Sequence, residues 1–199
     1  MVVASPDRFV IHAVDNMLFV EITRFEFDVE IELAYATDQN FMGVPIYRRN
    51  SCFLHPETAS LLLRAIKLAA PLGLRLKILD GFRPTEAQWA LWAHMPDANF
   101  VADPRLGSPH SRGAAIDLTL LDSSGTELDM GTRFDDFSNR AHHGSQEISP
   151  IAQRNRALLL GLMTMSGFDY YQLEWWHYQL HDSRRLPLFS DSAAGTQLI

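Results

Sequence analysis

The sequence predicts a single α+β domain built on a central antiparallel or mixed sheet with flanking helices. Three observations lead there. Segments with period 3.6 and segments with period 2 are mixed without the regular strand, helix, strand rhythm of a doubly wound parallel sheet. The 199 residues suit one domain with modest extensions. Hydrophobic residues make up 47% and charged residues 21%, enough apolar surface for a real core and too much for a disordered chain.

The elements follow in chain order. Residues 29–36 are strand-like. Residues 56–72 read as a helix, with Pro56 in the first turn, Glu57 near the positive end, Arg64 and Lys67 further on, and one apolar stripe of Leu61, Leu62, Ala65, Ile66 and Ala69. In residues 74–79, Leu74, Leu76 and Ile78 alternate with Arg75 and Lys77, as a half-buried strand requires. Pro84 opens a second helix to about His94, with Trp89, Leu91 and Trp92 as its buried bulk. Residues 114–120 set Ile116, Leu118 and Leu120 on one face and Asp117 and Thr119 on the other, again the pattern of a half-buried strand. The connection 122–149, rich in Ser, Gly, Asp and His, is too long for a turn and is expected to be functional or mobile. A third helix starts at Pro150 and stops at Gly167; residues 172–180 are strand-like; residues 190–199 read as a poorly ordered tail. The expected organisation is therefore an N-terminal extension over 1–34 packed on the domain, the domain itself over 35–189, and the tail.

Composition narrows the function. Lys plus Arg number 17 against 24 for Asp plus Glu, a net charge of −7, and no basic run interrupts it, so a nucleic-acid partner is not expected. Cys52 stands alone, which excludes an internal disulfide and a Cys-rich zinc site; any metal must be held by His and carboxylates. The first residues lack a basic region followed by a long apolar stretch, and no window approaches the roughly 18 apolar residues of a membrane span. The expectation is a cytoplasmic protein without membrane association.

Among eight histidines, two keep unusual company. His110 lies in a turn-like segment, Gly113 allows the backbone to reverse, and Asp117 sits on the strand that follows, so an imidazole and a carboxylate can meet. Glu174 and His177 share a face in a helix but oppose each other in a regular strand, so a common site for them requires a bulge or strand end at Trp175 or Trp176. Two neutral imidazoles and one carboxylate are the ligand set of a catalytic zinc with one open position. With His110, Asp117 and His177 as ligands the formal charge stays at +1, which keeps the metal a good Lewis acid. Glu174 is then available as a general base, and Arg83, at the junction between a strand and the second helix, as the partner of a developing oxyanion. The plainer readings remain open on spacing alone: local hydrogen bonds for His110 and Asp117, a pair with Asp80 for Arg83, core packing for Trp175 and Trp176, and solvation for His142 and His143.

The pattern Ser108-x-His110-x2-Gly113-x-Ala115-x-Asp117, followed by Glu174-x2-His177, resembles the zinc D-alanyl-D-alanine peptidases with a hedgehog-like fold. Tyr35 to Thr37 with Asn40, Phe41 and Gly43, the segments 80–84 and 130–135, His142 with His143, and the segment 174–178 are similar to the VanX-like D-alanyl-D-alanine dipeptidases of zinc peptidase family M15. The similarity runs from about Tyr35 to His181. It implies one zinc ion on His110, Asp117 and His177, Glu174 as catalytic base, and Arg83 as stabiliser of the transition state. It further implies Tyr35 and Asp135 as holders of the substrate's ammonium group and Ser108 as a hydrogen-bond donor to the substrate. The implied reaction is hydrolysis of D-Ala-D-Ala or a related D-amino-acid dipeptide. Alternatives are a D,D-carboxypeptidase or endopeptidase on longer wall peptides, or a non-catalytic zinc-containing binding module. Arg83 and His110 are 27 positions apart, a shorter connection than in the resembling enzymes, and the expected consequence is a more open pocket.

Overall fold

The structure, a computed structural model, describes residues 18–199. Its elements are β1 (Val20–Ile22), α1 (Arg24–Phe27), β2 (Glu30–Ile31), β3 (Cys52–Leu54), α2 (Pro56–Ala69), β4 (Arg75–Asp80), α3 (Thr85–His94), β5 (Ala115–Leu121), α4 (Pro150–Ser166), β6 (Asp169–Tyr170), β7 (His177–Gln179) and α5 (Asp191–Ala194). The main sheet runs β2-β4-β5-β7-β6; β2 and β4 are parallel and the other pairs antiparallel, while β1 and β3 form a separate antiparallel ribbon. The expected α+β class with a mixed sheet is the one observed.

The three main helices start and stop for local reasons. Pro56 occupies the first turn of α2, and the His55 ring accepts the Glu57 N–H. Pro84 is the N-cap of α3, one residue before its start. The Ser149 hydroxyl accepts the Ala152 N–H to open α4, and Gly167, at φ 109°, closes it in a conformation that glycine tolerates best. Leu62 and Ala65 of α2, Leu159 and Met163 of α4, and Leu76, Ile78, Leu118 and Leu120 of the sheet belong to one buried core. In α3 the inward positions are Ala87, Gln88 and Leu91, so Trp89, one residue round the helix from Gln88, is 50% exposed and is not the buried bulk its size suggests.

Several expectations are corrected by long-range partners. The strand over 29–36 shrinks to two residues. The Leu33 N–H is taken by the Asn50 side chain at 2.8 Å, and the Tyr35 carbonyl by the N–H groups of Ile46 and Tyr47 at 2.8 Å each, inside a 3-10 turn over Ala34–Ala36. The described part of the expected extension, 18–34, packs on the rest through the pairing of β1 with β3 and of β2 with β4; its earlier part, 1–17, lies outside the described residues. β5 is buried on both faces rather than one, because its Asp117 and Thr119 side is covered as well. The tail over 190–199 is not loose: Leu198 is fully buried, its carbonyl accepts the Arg48 N–H at 2.7 Å, and the Asp191 carboxylate accepts the N–H groups of Leu198 and Ile199.

Two backbone features set up the site. The β4–β5 register slips between Ile78, opposite Leu118, and Asp80, opposite Asp117, so an extra residue brings Asp80 alongside Asp117. The turn before β5 is pressed against the start of α2. A Cβ on Gly113, at φ 63°, would lie 2.3 Å from the Phe19 ring and 2.8 Å from the His55 nitrogen, so only glycine fits there.

Candidate active site

The site lies in a cavity of about 370 Å³. His110 stands on a 3-10 turn leading into β5, Asp117 is the third residue of β5, and His177 is the first residue of β7 and the direct cross-strand neighbour of Asp117. The chain reaches β7 through a turn in which the Trp175 N–H goes to the Ala141 carbonyl, so the strand end required between Glu174 and His177 is present.

Three ligand atoms converge. His110 Nε2 is 3.1 Å from His177 Nδ1 and 3.3 Å from Asp117 Oδ2, and His177 Nδ1 is 3.0 Å from Asp117 Oδ1. The outer nitrogen of each imidazole is occupied: His110 Nδ1 lies 2.8 Å from the Gly81 carbonyl oxygen and His177 Nε2 3.0 Å from the Gln179 amide oxygen, acceptors that hold the ring proton outward. With that proton outward, each ring in its metal-binding form directs a lone pair inward. Two lone pairs 3.1 Å apart beside a carboxylate repel one another unless a cation lies among them, which is the chemistry of a metal-binding donor set. Burial alone would raise the Asp117 carboxyl, but the two imidazoles overcome it and hold it well below its usual range.

Around this centre stand the other expected residues. The Glu174 Oε2 atom is 3.9 Å from His177 Nδ1; burial, and to a smaller extent Asp117, push its carboxyl up to about 7, against the opposing pull of His177 and Arg83. A carboxyl poised there can take and return a proton near neutrality. Arg83 is buried and rigidly held: Nε donates to Asp80 Oδ2 at 2.9 Å, Nη1 to Gln88 Oε1 at 3.0 Å, and the guanidinium carbon lies 4.9 Å over the Tyr35 ring. Arg83 Nη2 is 3.8 Å from Asp117 Oδ2, so pairing with Asp80 and facing the site are compatible. Asp80, fully buried, also accepts the Tyr47 hydroxyl at 2.9 Å.

Asp135 sits in the rarely used left-handed region at φ 58° and accepts the Tyr35 hydroxyl at 3.0 Å. Its carboxyl is pushed well above the usual range, mainly by removal from water, and the attraction of Arg83 only partly offsets this. Among the described residues, no cationic side chain forms an ion pair with it. Ser108 Oγ accepts the His110 N–H at 3.2 Å, which leaves the hydroxyl proton free for another acceptor. The connection from α3 to His110 walls the cavity in spite of its length: Asn99, Phe100 and Val101 line it, and the Tyr171 hydroxyl donates to the Asn99 carbonyl at 3.2 Å.

Neither His142 nor His143 is among the converging donors. His143 is buried against the Tyr170 ring; its N–H donates to the Gln172 backbone carbonyl and its own carbonyl accepts the Gln172 side-chain amide, which ties the connection 122–149 to the turn before β7. Burial, and secondarily Arg156, lower its pKa to about 4, so it is neutral at pH 7. Trp175 and Trp176 are both buried, and Trp176 also lines the cavity. Three supporting residues were not singled out from sequence: Gln88, Tyr47 and Gln179. Gln179 could have been found, because it lies two residues after His177 and so shares its strand face.

A donor set of this composition, with a buried glutamate and a fixed arginine beside it, is of the kind that metal-dependent hydrolases use. Comparison with known proteins gives the family. Residues 15–193 match the Peptidase_M15 profile, described as D-ala-D-ala dipeptidase, and the chain belongs to that family of metallopeptidases. It is 45% identical to the D-alanyl-D-alanine dipeptidase of Escherichia coli strain K12 over 164 residues, 82% of this chain and 85% of the relative. It is 40% identical to the D-alanyl-D-alanine dipeptidase of Enterococcus faecium over 176 residues, 77% of this chain and 87% of the relative. Among solved structures, the zinc complex of a variant of the vancomycin-resistance D,D-pentapeptidase VanY is similar at 16% identity and a TM-score of 0.40, covering 82% of this chain and 87% of that one. Among the described residues, no helix is long and apolar enough to cross a membrane.

Proposed function

We propose that this protein is a zinc-dependent D-Ala-D-Ala dipeptidase that acts on the free dipeptide in the cytoplasm. The observation that carries the reading is the pairing, in one cavity, of the metal-competent donor set with an Asp135 carboxyl that forms an ion pair with no cationic side chain among the described residues.

In this reading His110, Asp117 and His177 hold the zinc. Zinc held there would supply Lewis acidity and make water nucleophilic near neutral pH. The chain's own groups do the rest. Asp135, with the Tyr35 hydroxyl beside it, binds the substrate's ammonium, an interaction strengthened by exclusion of bulk water. Ser108 donates its free hydroxyl proton to the substrate. Glu174 takes one proton from the attacking water as the new C–O bond forms, and returns it to the leaving nitrogen as the C–N bond breaks. Arg83, immobilised by Asp80 and Gln88, faces the oxygen on which negative charge develops and needs no reorganisation to do so.

Purified zinc-loaded protein is expected to release amine from D-Ala-D-Ala, to lose this activity with a chelator, and to cleave neither L-Ala-L-Ala nor N-acetyl-D-Ala-D-Ala. The blocked peptide offers Asp135 no ammonium and leaves that carboxyl buried and unpaired, a strong basis for rejection. Comparable cleavage of the blocked peptide would make the protein a carboxypeptidase. No cleavage of any substrate with zinc bound would make it a binding module.

Gln179 tests the metal assignment separately. Its amide oxygen receives the outer nitrogen of His177, and removing such an orienting group from a metal ligand typically weakens the metal by about 10- to 100-fold. Gln179→Ala is expected to show that loss in competition against a chromophoric chelator. An unchanged zinc affinity would exclude His177 from the ligand set in the tautomer described.

A further inference from the structure

Arg156, in the middle of α4, is buried, and among the described residues no carboxylate forms an ion pair with it. Its guanidinium is directed instead at oxygen atoms of the connection 122–149. Nε donates to the Met130 carbonyl at 2.6 Å, Nη1 to the carbonyls of Arg140 at 2.7 Å and His142 at 3.2 Å, and Nη2 to Thr132 Oγ1 at 3.3 Å. Burial pulls its pKa down to about 10, an effect that Asp136 and Asp129 only partly offset, so the group is still charged at neutral pH. Its hydrogen bonds are therefore charge-assisted, and three of the four acceptors are main-chain carbonyls.

These acceptors are arranged around Asp135. Met130 and Arg140 lie five positions before it and five after it, so one guanidinium clasps both ends of the loop whose tip carries Asp135. Arg140 Nη2 crosses the same neck to the Gly131 carbonyl at 3.0 Å. At the tip, Asp135 holds φ 58°, a conformation that a residue other than glycine keeps only where its surroundings over-determine it. The same guanidinium also meets the turn that carries Glu174. Thr132 Oγ1 accepts the Trp175 Nε1–H at 2.9 Å, the Arg156 guanidinium carbon lies 5.7 Å from the centre of the Trp175 ring, and the Trp175 N–H donates to the Ala141 carbonyl at 3.1 Å, between two of the residues that Arg156 holds.

We propose that Arg156 is a positioning residue: by clasping the loop 130–140 and lying over the ring of the residue after Glu174, it sets the ammonium-binding Asp135 and the proton-transferring Glu174 in one register. The inference rests on the dipeptidase reading for the roles of those two carboxyls. Arg156 does not itself line the cavity, so it acts through the loop and the turn. Lysine would keep the charge but offers one nitrogen in place of a planar fork, and so cannot reach Met130, Arg140 and Thr132 together.

Three variants of the zinc-loaded protein separate this role from a general contribution to stability. They are Arg156→Lys; Thr132→Val, which keeps the side chain's shape and removes the acceptor shared by Arg156 and Trp175; and Leu62→Ala, a truncation of the buried core in α2. Steady-state kinetics on D-Ala-D-Ala give kcat and KM per zinc-loaded site, thermal melts give stability, and hydrogen-exchange mass spectrometry gives the opening of residues 130–142 and 171–177. Arg156→Lys is expected to raise KM by about tenfold, the loss of one well-placed charge-assisted contact, to lower kcat by less, and to speed exchange in both segments. Thr132→Val should follow in the same direction by a smaller factor, and Leu62→Ala should lower Tm with KM unchanged. A KM for Arg156→Lys within about twofold of wild type, an equal rise in KM for Leu62→Ala, or unchanged exchange in 130–142 would overturn the proposal. If Arg156→Lys does not fold, Thr132→Val decides by the same criteria. Failure of the wild-type protein to hydrolyse the dipeptide, with exchange in both segments still faster in Arg156→Lys, would overturn the dipeptidase reading and leave the clasp standing.

Discussion

Glu174→Gln is expected to lower kcat by about 10^2- to 10^4-fold while zinc affinity stays at the wild-type level. The amide occupies the same volume and can still hydrogen-bond, but it neither accepts a proton from water nor returns one to a leaving amine. Burial holds the Glu174 carboxyl near a pKa of about 7, which suits both halves of that transfer. Its Oε2 atom stands 3.9 Å from His177 Nδ1, beside the converging donors. Steady-state kinetics on D-Ala-D-Ala and zinc titration of the same preparation check both parts. A variant that keeps near-wild-type kcat removes Glu174 from the mechanism; one that loses zinc together with activity makes Glu174 part of the metal site.

The parts of this molecule legible in sequence are those whose causes are local. α4 is bounded by Pro150 and Gly167, and both ends fall where those residues put them. The turn and strand that bring His110 to Asp117 are signalled within eight residues by Gly113 and the alternation of Ile116, Leu118 and Leu120. The Glu174 and His177 spacing was informative in a different way, since it demanded a break in the strand, and β7 begins only at His177. What escaped was set at long range. The two-residue β2 is cut short by Asn50 and by the 46–47 segment, and the chain end is held by Arg48, partners no local pattern reveals. The β4–β5 bulge that sets Asp80 beside Asp117 is likewise invisible in the alternation of Leu74, Leu76 and Ile78, which stops one residue before it. Asp80 is for that reason a more important residue than its sequence position suggests.

Arg83→Ala is expected to combine two losses with different causes. In activity, removal of a preorganised donor at a developing oxyanion costs about 10^2- to 10^3-fold in kcat, with a smaller effect on KM. In stability, it leaves Asp80, fully buried, with the Tyr47 hydroxyl as a hydrogen bond but no counter-charge. Breaking one side of a buried pair costs about 3–5 kcal/mol, or a fall in Tm of about 10 °C for a chain of this size. Arg83→Ala with Asp80→Ala separates them: removing the stranded carboxylate should recover most of the stability and none of the kcat, because the oxyanion partner is still missing. Thermal melts and steady-state kinetics on both variants decide the matter. If the double variant recovers kcat along with stability, Arg83 is a structural residue that balances Asp80, and the oxyanion must be met by another group in the cavity.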